Sequence, residues 1–261
     1  MIIDILSNQQ FLWAALIGAS VGAVAGYIGS LMLTKRMALM GGALGHLTLP
    51  GVALGLLYGF DISLGALGCL LIGIFFIWIL ERMTKLPFEA TTAVVFTTFL
   101  ATAFLFLPHE ETHAALLGDI SKINFSVALI GTVLSILVFA IISFAYKKFV
   151  LIGISHDLAQ VEGINATRYN FIYLLCIALV VALGVRIIGG LMTASLVAIP
   201  AATSKNLSRS LKQYALLSGL FGGFSCVLGV FVATAANIPV GPSIILWSAL
   251  FFAVSLFFRK S

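Results

Sequence analysis

Long apolar segments separated by short polar ones make up almost the whole chain. Nine such segments, most of them near the roughly 20 residues that a helix needs to cross a bilayer, occupy residues 11–33, 39–59, 62–80, 90–107, 124–146, 169–185, 187–203, 214–236 and 239–258. The seventh is short and contains Pro200, so it predicts either a full span or a broken half-helix. We therefore expect an all-α polytopic membrane protein, with a single transmembrane domain over 1–261 and about nine helices, eight being the alternative.

The basic residues help to decide between these counts and predict the orientation. If all nine segments cross and the N-terminus is outside, twelve of the 14 Lys and Arg residues lie on the cytoplasmic side, and only Lys122 and Arg186 lie outside. Cytoplasmic loops carry the excess of Lys and Arg in membrane proteins. This asymmetry favours nine spans, an outer N-terminus and a cytoplasmic C-terminus.

Composition supports the same class. Of 261 residues, 61% are hydrophobic and 9% are charged, which leaves too little polar surface to cover a water-soluble domain of this size. The net charge of +5 is spread over short loops, so it does not indicate a nucleic-acid partner. The expected surroundings of the chain are membrane lipid.

Glycine recurs at every fourth position in three of the segments. The positions are Gly18, Gly22 and Gly26, then Gly51, Gly55 and Gly59, then Gly219 and Gly223. Small residues on one face of a helix let a second backbone approach closely, which favours helix association in lipid. The pattern predicts tight helix pairs, although glycine is also common in membrane helices that make no such contact.

The second segment contains one imidazole, that of His46, with Pro50 four residues later. Pro50 removes a backbone donor, so we expect the helix to be loosened next to the imidazole. Two interpretations of His46 stay open. The ring can be a packed side chain that bonds to a carbonyl of a neighbouring helix, or it can be a ligand that lines a substrate path, since ionisable groups inside membranes usually serve function.

The same segment resembles the second membrane span of the permease subunits of bacterial zinc, manganese and iron ABC transporters, which typically reads G-D-A-L-S-H-A-x-L-P-G-V-A. Here Gly41 to Ala53 reads GGALGHLTLPGVA, with Gly42 at the family's Asp and Gly45 at its Ser. The family's Asp and His share a helix face and can bind one cation together. Only His46 remains in this chain, and imidazole ligands favour zinc over manganese. Zinc is therefore the first expected cation, with manganese or iron next.

The inner loop at 151–165 predicts a short helix. Ser155 or Asp157 can cap it, Leu158, Ala159 and Val161 give it an apolar side, and Gly163 ends it. Ile154 to Gly163, ISHDLAQVEG, resembles the family's coupling segment I-S-P-x-L-A-x-x-x-G, which in such permeases fits a cleft on the ATPase subunit. The resemblance assigns the loop that role. The alternative is an ordinary capped loop helix.

Two further stretches resemble the family. Gly190 to Ser204, GLMTASLVAIPAATS, is similar to G-A-L-L-V-T-A-L-L-V-I-P-A-A-T-A, and Leu117 to Ile120 is similar to F-G-D-I. Each match is short, but together they cover most of the chain in the family's order. Gly42, Pro50 and Pro200 are the expected helix-breaking or gating positions.

The loop between the fourth and fifth segments contains His109-Glu110-Glu111-Thr112-His113, which satisfies the zinc-protease signature H-E-x-x-H. It follows Pro108 in a short outer loop rather than a long helix. Three interpretations are protease chemistry, a solvated polar loop, and a metal-collecting lip formed by His109, Glu110 and His113 at the outer mouth.

The resemblance implies a permease of the bacterial inner membrane that passes a divalent metal into the cytoplasm. It implies a homodimer with a cytoplasmic ATP-binding subunit, an extracytoplasmic metal-binding protein, and no permanently bound cofactor. The chain has no G-x-x-x-x-G-K-[ST] motif, so we expect a transport subunit and not an ATPase. Alternatives are a permease for chelated iron or cobalamin, a secondary metal transporter, and an intramembrane zinc protease.

Overall fold

The computed structural model describes residues 9–35, 37–84, 86, 88–106, 123–189 and 193–258. Every regular element within these ranges is a helix, which confirms the all-α prediction. The helices are α1 (Gln9–Thr34), α2 (Ala38–Leu47), α3 (Leu49–Tyr58), α4 (Ile62–Met83), α5 (Phe88–Phe106), α6 (Phe125–Ile154), α7 (His156–Val161), α8 (Ala166–Ile188), α9 (Thr193–Leu207), α10 (Leu211–Ala236) and α11 (Val240–Phe257).

The helices follow the predicted apolar segments in order. Within the described ranges, six helices are long and apolar enough to cross a membrane: α1, α4, α6, α8, α10 and α11. Two shorter apolar stretches, Gly42–Tyr58 and Ala90–Phe106, correspond to the second and fourth segments. The seventh segment corresponds to α9, which has 15 residues. The number of helices that cross the membrane and the orientation of the termini stay predictions.

The seventh segment differs from its predicted form. It does not begin at residue 187, because α8 continues to Ile188 and ends at Gly189, whose φ is 89°. Helix α9 then runs from Thr193 to Leu207 through the buried Pro200. Pro200 therefore does not break this helix, and the choice between a full span and a half-helix stays a prediction. A proline removes only one backbone hydrogen bond, and packing against α1, α10 and α11 keeps the segment helical.

Helix α1 is the centre of the bundle, since it packs against α6, α8, α9 and α10. Its most extensive contact is with α10. Glycines of α1 there face the backbone of α10, and we call this contact the seam. A Cβ atom added at Gly22 would lie 2.5 Å from the carbonyl oxygen of Gly222, and one at Gly26 would overlap the carbonyl of Ser218. These positions confirm the predicted close approach of helices, because only glycine leaves room for the facing backbone.

Glycines in the second segment have two different functions. Gly51 on α3 and Gly65 on α4 face each other so closely that a Cβ on either would overlap the other's carbonyl. Gly59 has open space around its Cα and a φ of 70°, and it ends α3 as a left-handed cap. Two glycines at the same regular spacing therefore differ in function: Gly51 makes a packing contact and Gly59 ends a helix.

Candidate functional site

The break between α2 and α3 lies beside His46. Helix α2 ends at Leu47, Thr48 forms a turn, and α3 begins at Leu49 with Pro50 in its first turn. Pro50 has no N–H to donate to the carbonyl of His46, which would be its partner in a continuous helix. The Thr48 hydroxyl donates to the carbonyl of Gly45 at 2.6 Å. The predicted loosening of the helix next to the imidazole is confirmed.

The imidazole of His46 packs against Phe96 of α5, with ring centroids 5.1 Å apart and ring planes inclined by 36°. Its Nδ1 atom is buried and has no hydrogen-bond partner among the described residues. Buried polar atoms almost always have a partner. Nδ1 therefore does not make the contact with a neighbouring carbonyl that the packed interpretation of His46 expects. A neutral imidazole nitrogen can instead bind a metal ion.

Gly42 lies one helical turn before His46. A Cβ at this position would be 3.9 Å from the Cβ of Ala194 on α9, an ordinary van der Waals contact. The position therefore faces α9 and has room for a side chain, but it presents no carboxylate. In the part of the chain that the structure describes, no three His, Cys, Asp or Glu side chains converge on one point. Among the described residues, His46 is thus a single candidate ligand and not a complete metal site.

The predicted outer lip cannot be compared with the structure. His109, Glu110 and His113 lie in 107–122, outside the described residues, and so do Leu117 to Ile120. Their roles stay predictions.

The predicted loop helix is present as α7. The Ser155 hydroxyl accepts a hydrogen bond from the backbone N–H of Leu158 at 3.3 Å, so Ser155 is the cap, and Asp157 lies exposed in the first turn. Gly163 follows the end of the helix with a φ of 72°. The short polar cap and the left-handed glycine define both ends of α7, as the sequence predicts.

The apolar residues of α7 do not form one side, and that part of the prediction is wrong. Ala159 is fully buried and packs with Ile152 and Ala166. Leu158 is 54% exposed and Val161 is 86% exposed. Residues three apart share a helix face whereas adjacent residues do not. Leu158 and Val161 therefore present an apolar face away from the bundle, while Ala159 anchors the helix to it.

Near α2 and α7 the structure shows two further side chains, Phe96 and Lys35, that the sequence does not identify as site residues. Phe96 contacts the candidate ligand, but one more phenylalanine in an apolar helix carries no signal. Lys35 counts in the sequence only as a basic loop residue. In the structure its ammonium group lies 3.1 Å from Asn170 Oδ1 and 4.5 Å from the ring centroid of Tyr173. Burial lowers the pKa of Lys35 from 10.5 to about 8.

The chain matches the ABC-3 transport family over residues 7–259. It is 31% identical over 257 residues to the manganese import system permease protein ScaB of Streptococcus gordonii, covering 97% of this chain and 92% of that protein. It is 27% identical over 254 residues to the high-affinity zinc uptake system membrane protein ZnuB of Haemophilus influenzae, covering 95% and 97%. The structure of PsaBC from Streptococcus pneumoniae in complex with Fab contains a chain that superposes with a TM-score of 0.86 at 28% identity, over 99% of this chain and 95% of that chain.

These matches confirm the resemblance that the residues around His46 carry. They agree with a membrane transport subunit. Together with the long apolar helices, they place the protein in the bacterial inner membrane as a multi-pass protein. The chain belongs to the ABC-3 transport family and is a permease subunit of a metal ABC importer.

Proposed function

We propose that this permease passes a bare divalent cation into the cytoplasm, with His46 as a transient ligand on the path. The observation that carries the proposal is the buried Nδ1 of His46, which has no partner among the described residues and lies beside a break between two helices. In transporters, loosened backbone next to a helix break supplies carbonyl oxygens to ions. A conduit also needs weak binding so that the ion can leave, and a single imidazole meets that need.

Zinc is the cation that this donor set favours. Gly42 presents no carboxylate one turn from His46, so this position lacks the charged oxygen ligand that would favour manganese. The names of the relatives include both manganese and zinc systems. Manganese and iron are therefore the alternatives that an uptake measurement must include.

A homodimer completes the proposed site. One described chain offers one imidazole, whereas two chains related by a twofold axis would offer two. In the proposed assembly, an extracytoplasmic metal-binding protein delivers the ion to the outer side. A cytoplasmic ATP-binding subunit drives alternating access, with nine membrane crossings, an outer N-terminus and a cytoplasmic C-terminus.

Helix α7 is the proposed docking element for the ATP-binding subunit. Its exposed Leu158 and Val161 form an apolar face, and Ser155 and Gly163 hold the helix at a defined length. Replacing Leu158 and Val161 with Asp should abolish copurification of the ATP-binding subunit. Gln160→Asp is the matched control, because Gln160 is an exposed polar residue on the same helix. Equal copurification of both variants would refute the docking role.

The ligand role is tested by His46→Ala in proteoliposomes that contain the permease, its ATP-binding subunit and its binding protein. Disturbing only the outer-shell partner of a metal ligand costs about 10- to 100-fold in affinity or activity, so losing the ligand should lower zinc uptake by at least about tenfold. Assembly should stay intact. Tyr58→Ala, at the 77% exposed end of α3, is the control. Uptake by His46→Ala at the control rate would reject the ligand role.

A further inference from the structure

Lys35 is a partly buried cation, and none of the residues that the structure describes supplies an anionic partner for it. Its ammonium group donates to Asn170 Oδ1 at 3.1 Å and lies 4.5 Å and 5.6 Å from the ring centroids of Tyr173 and Phe149. Both rings are within the distance at which a cation is attracted by an aromatic face. No carboxylate of the described residues pairs with this ammonium, and burial alone accounts for its lowered pKa. A lysine at a membrane surface would ordinarily extend its ammonium group into water. The ammonium group of Lys35 instead lies against two aromatic rings, which suggests a specific role.

The pocket around Lys35 joins three parts of the chain at one end of the bundle. Lys35 follows α1 directly, Phe149 lies in the last two turns of α6, and Asn170 and Tyr173 lie in the first turns of α8. The stem of Lys35 also lies against Gly153, where an added Cβ would be 2.9 Å from the lysine Cγ. Lys35 is thus in contact with the last turn of α6, just before the Ser155 cap of α7.

A continuous set of contacts links α7 to this pocket. Ala159 of α7 packs with Ile152 and Ala166, and Tyr169 packs against that cluster. The ring of Tyr169 lies 5.9 Å from the ring of Phe149, which lies 5.4 Å from the ring of Tyr173. Since Lys35 sits over Phe149 and Tyr173, a shift of α7 would alter the surroundings of its ammonium group.

Lys35 also lies close to the start of α2, the helix that carries the candidate ligand. Only two residues separate it from α2, which carries His46. The backbone N–H of Lys35 bonds to Leu31 and that of Met37 bonds to Met32, so the corner is tied to the end of α1. A displacement of Lys35 would therefore be carried to the start of α2.

We propose that Lys35 is a positioning residue that couples α7 to α2, so that movement of the docking helix alters the surroundings of His46. The inference rests on the proposed function, in which α7 receives the motion of the ATP-binding subunit. In this proposal Lys35 is not a ligand of the metal or of the nucleotide. Its role is to transmit a shift through the aromatic rings of α6 and α8.

The test compares Lys35→Met with Lys147→Met in the complete reconstituted complex. Lys147 is the matched control because it is an exposed lysine on α6, the helix that carries Phe149. Zinc uptake and ATP hydrolysis are measured together. Lys35→Met should hydrolyse ATP within about twofold of the wild type and transport about tenfold less zinc per ATP, the order of effect of disturbing one coupling residue. Lys147→Met should keep the wild-type ratio.

A second variant keeps the test decisive if Lys35→Met does not assemble. Asn170→Leu removes the oxygen acceptor and leaves the lysine, so it should lower the zinc-to-ATP ratio in the same direction. Where both single variants assemble, the double variant should be no worse than Lys35→Met, because both changes break one contact. A wild-type ratio in Lys35→Met, a parallel loss of hydrolysis and uptake, or additive effects would overturn the inference. If Lys35→Met does not assemble, a wild-type ratio in Asn170→Leu overturns it.

The outcomes separate this inference from the proposed function. A wild-type complex without ATP-dependent zinc, manganese or iron uptake would overturn the proposed function and the coupling role with it. If only manganese or iron is transported, the same ratio is measured with that metal. ATP-driven uptake by the wild type, together with an unchanged ratio in Lys35→Met, would overturn the coupling role alone.

Discussion

Gly18 and Gly22 are equivalent in the sequence, one turn apart in the same small-residue stripe, but the structure predicts that they tolerate alanine to different extents. A Cβ at Gly18 would lie 3.6 Å from the Cβ of Cys226 and 3.7 Å from Cγ2 of Val230. A Cβ at Gly22 would lie 2.5 Å from both the carbonyl oxygen of Gly222 and the Sγ of Cys226. The distances at Gly18 are ordinary van der Waals contacts, whereas the distances at Gly22 require neighbouring atoms to move.

The magnitude follows from these distances. Ordinary contact begins at 3.4 Å, so the methyl group of Gly22→Ala is about 0.9 Å too close to a backbone carbonyl that cannot rotate away. Overpacking of this kind costs about 1–3 kcal/mol. Both substitutions also gain about 1 kcal/mol of helix propensity, which cancels when the two variants are compared. We therefore expect Gly22→Ala to be less stable than Gly18→Ala by about 1–3 kcal/mol.

Thermal unfolding of the purified complex in detergent, followed by tryptophan fluorescence, measures this difference. For a chain of this size a 2 kcal/mol difference corresponds to a Tm difference of roughly 4–8 °C. Gly68→Ala is a second control, because a Cβ there meets no atom within 4 Å. If Gly18→Ala and Gly22→Ala unfold at the same temperature, the seam between α1 and α10 is not as close as described, and the reasoning fails.

Three other predictions follow from the site. Gly42→Asp has room for its side chain beside Ala194 and adds a carboxylate one turn from His46, so the ratio of manganese to zinc uptake should rise; an unchanged ratio would contradict the path through His46. Ser155→Ala removes the cap of α7 at a cost of about 1 kcal/mol, so amide exchange in α7 should accelerate about fivefold by mass spectrometry. Because burial disfavours the charged form, Lys35 should lose its proton near pH 8 in an NMR titration of methylated lysines. The Lys35→Arg variant identifies the signal of Lys35, and a midpoint near 10.5 would refute the buried position.

The sequence predicts those parts of the fold and of the site that depend on residues close together in the chain. Apolar length locates the membrane helices because each segment must bury its own backbone polar groups by hydrogen bonding within itself. Pro50 predicts the break after His46 because a missing N–H acts on the residue four positions earlier. The cap at Ser155 and the left-handed Gly163 predict the ends of α7 by the same kind of local chemistry. The resemblance to the family, carried by these short motifs, is confirmed over nearly the whole chain.

Other properties depend on which helix faces which, and a one-dimensional pattern does not contain that information. The sequence predicts helix contact along the whole stripe on α1, but only the tertiary structure separates the crowded Gly22 from the tolerant Gly18. From the sequence, Lys35 is only one of several basic loop residues. In the structure, the packing of α6 against α8 places aromatic rings next to its ammonium group. The sequence leaves two interpretations of His46, and only the placement of α5 and α9 around the helix shows that Nδ1 has no partner among the residues that the structure describes. Hydrogen bonds within a few residues determine the helices, but the surroundings of a side chain are determined by residues that are distant in the chain.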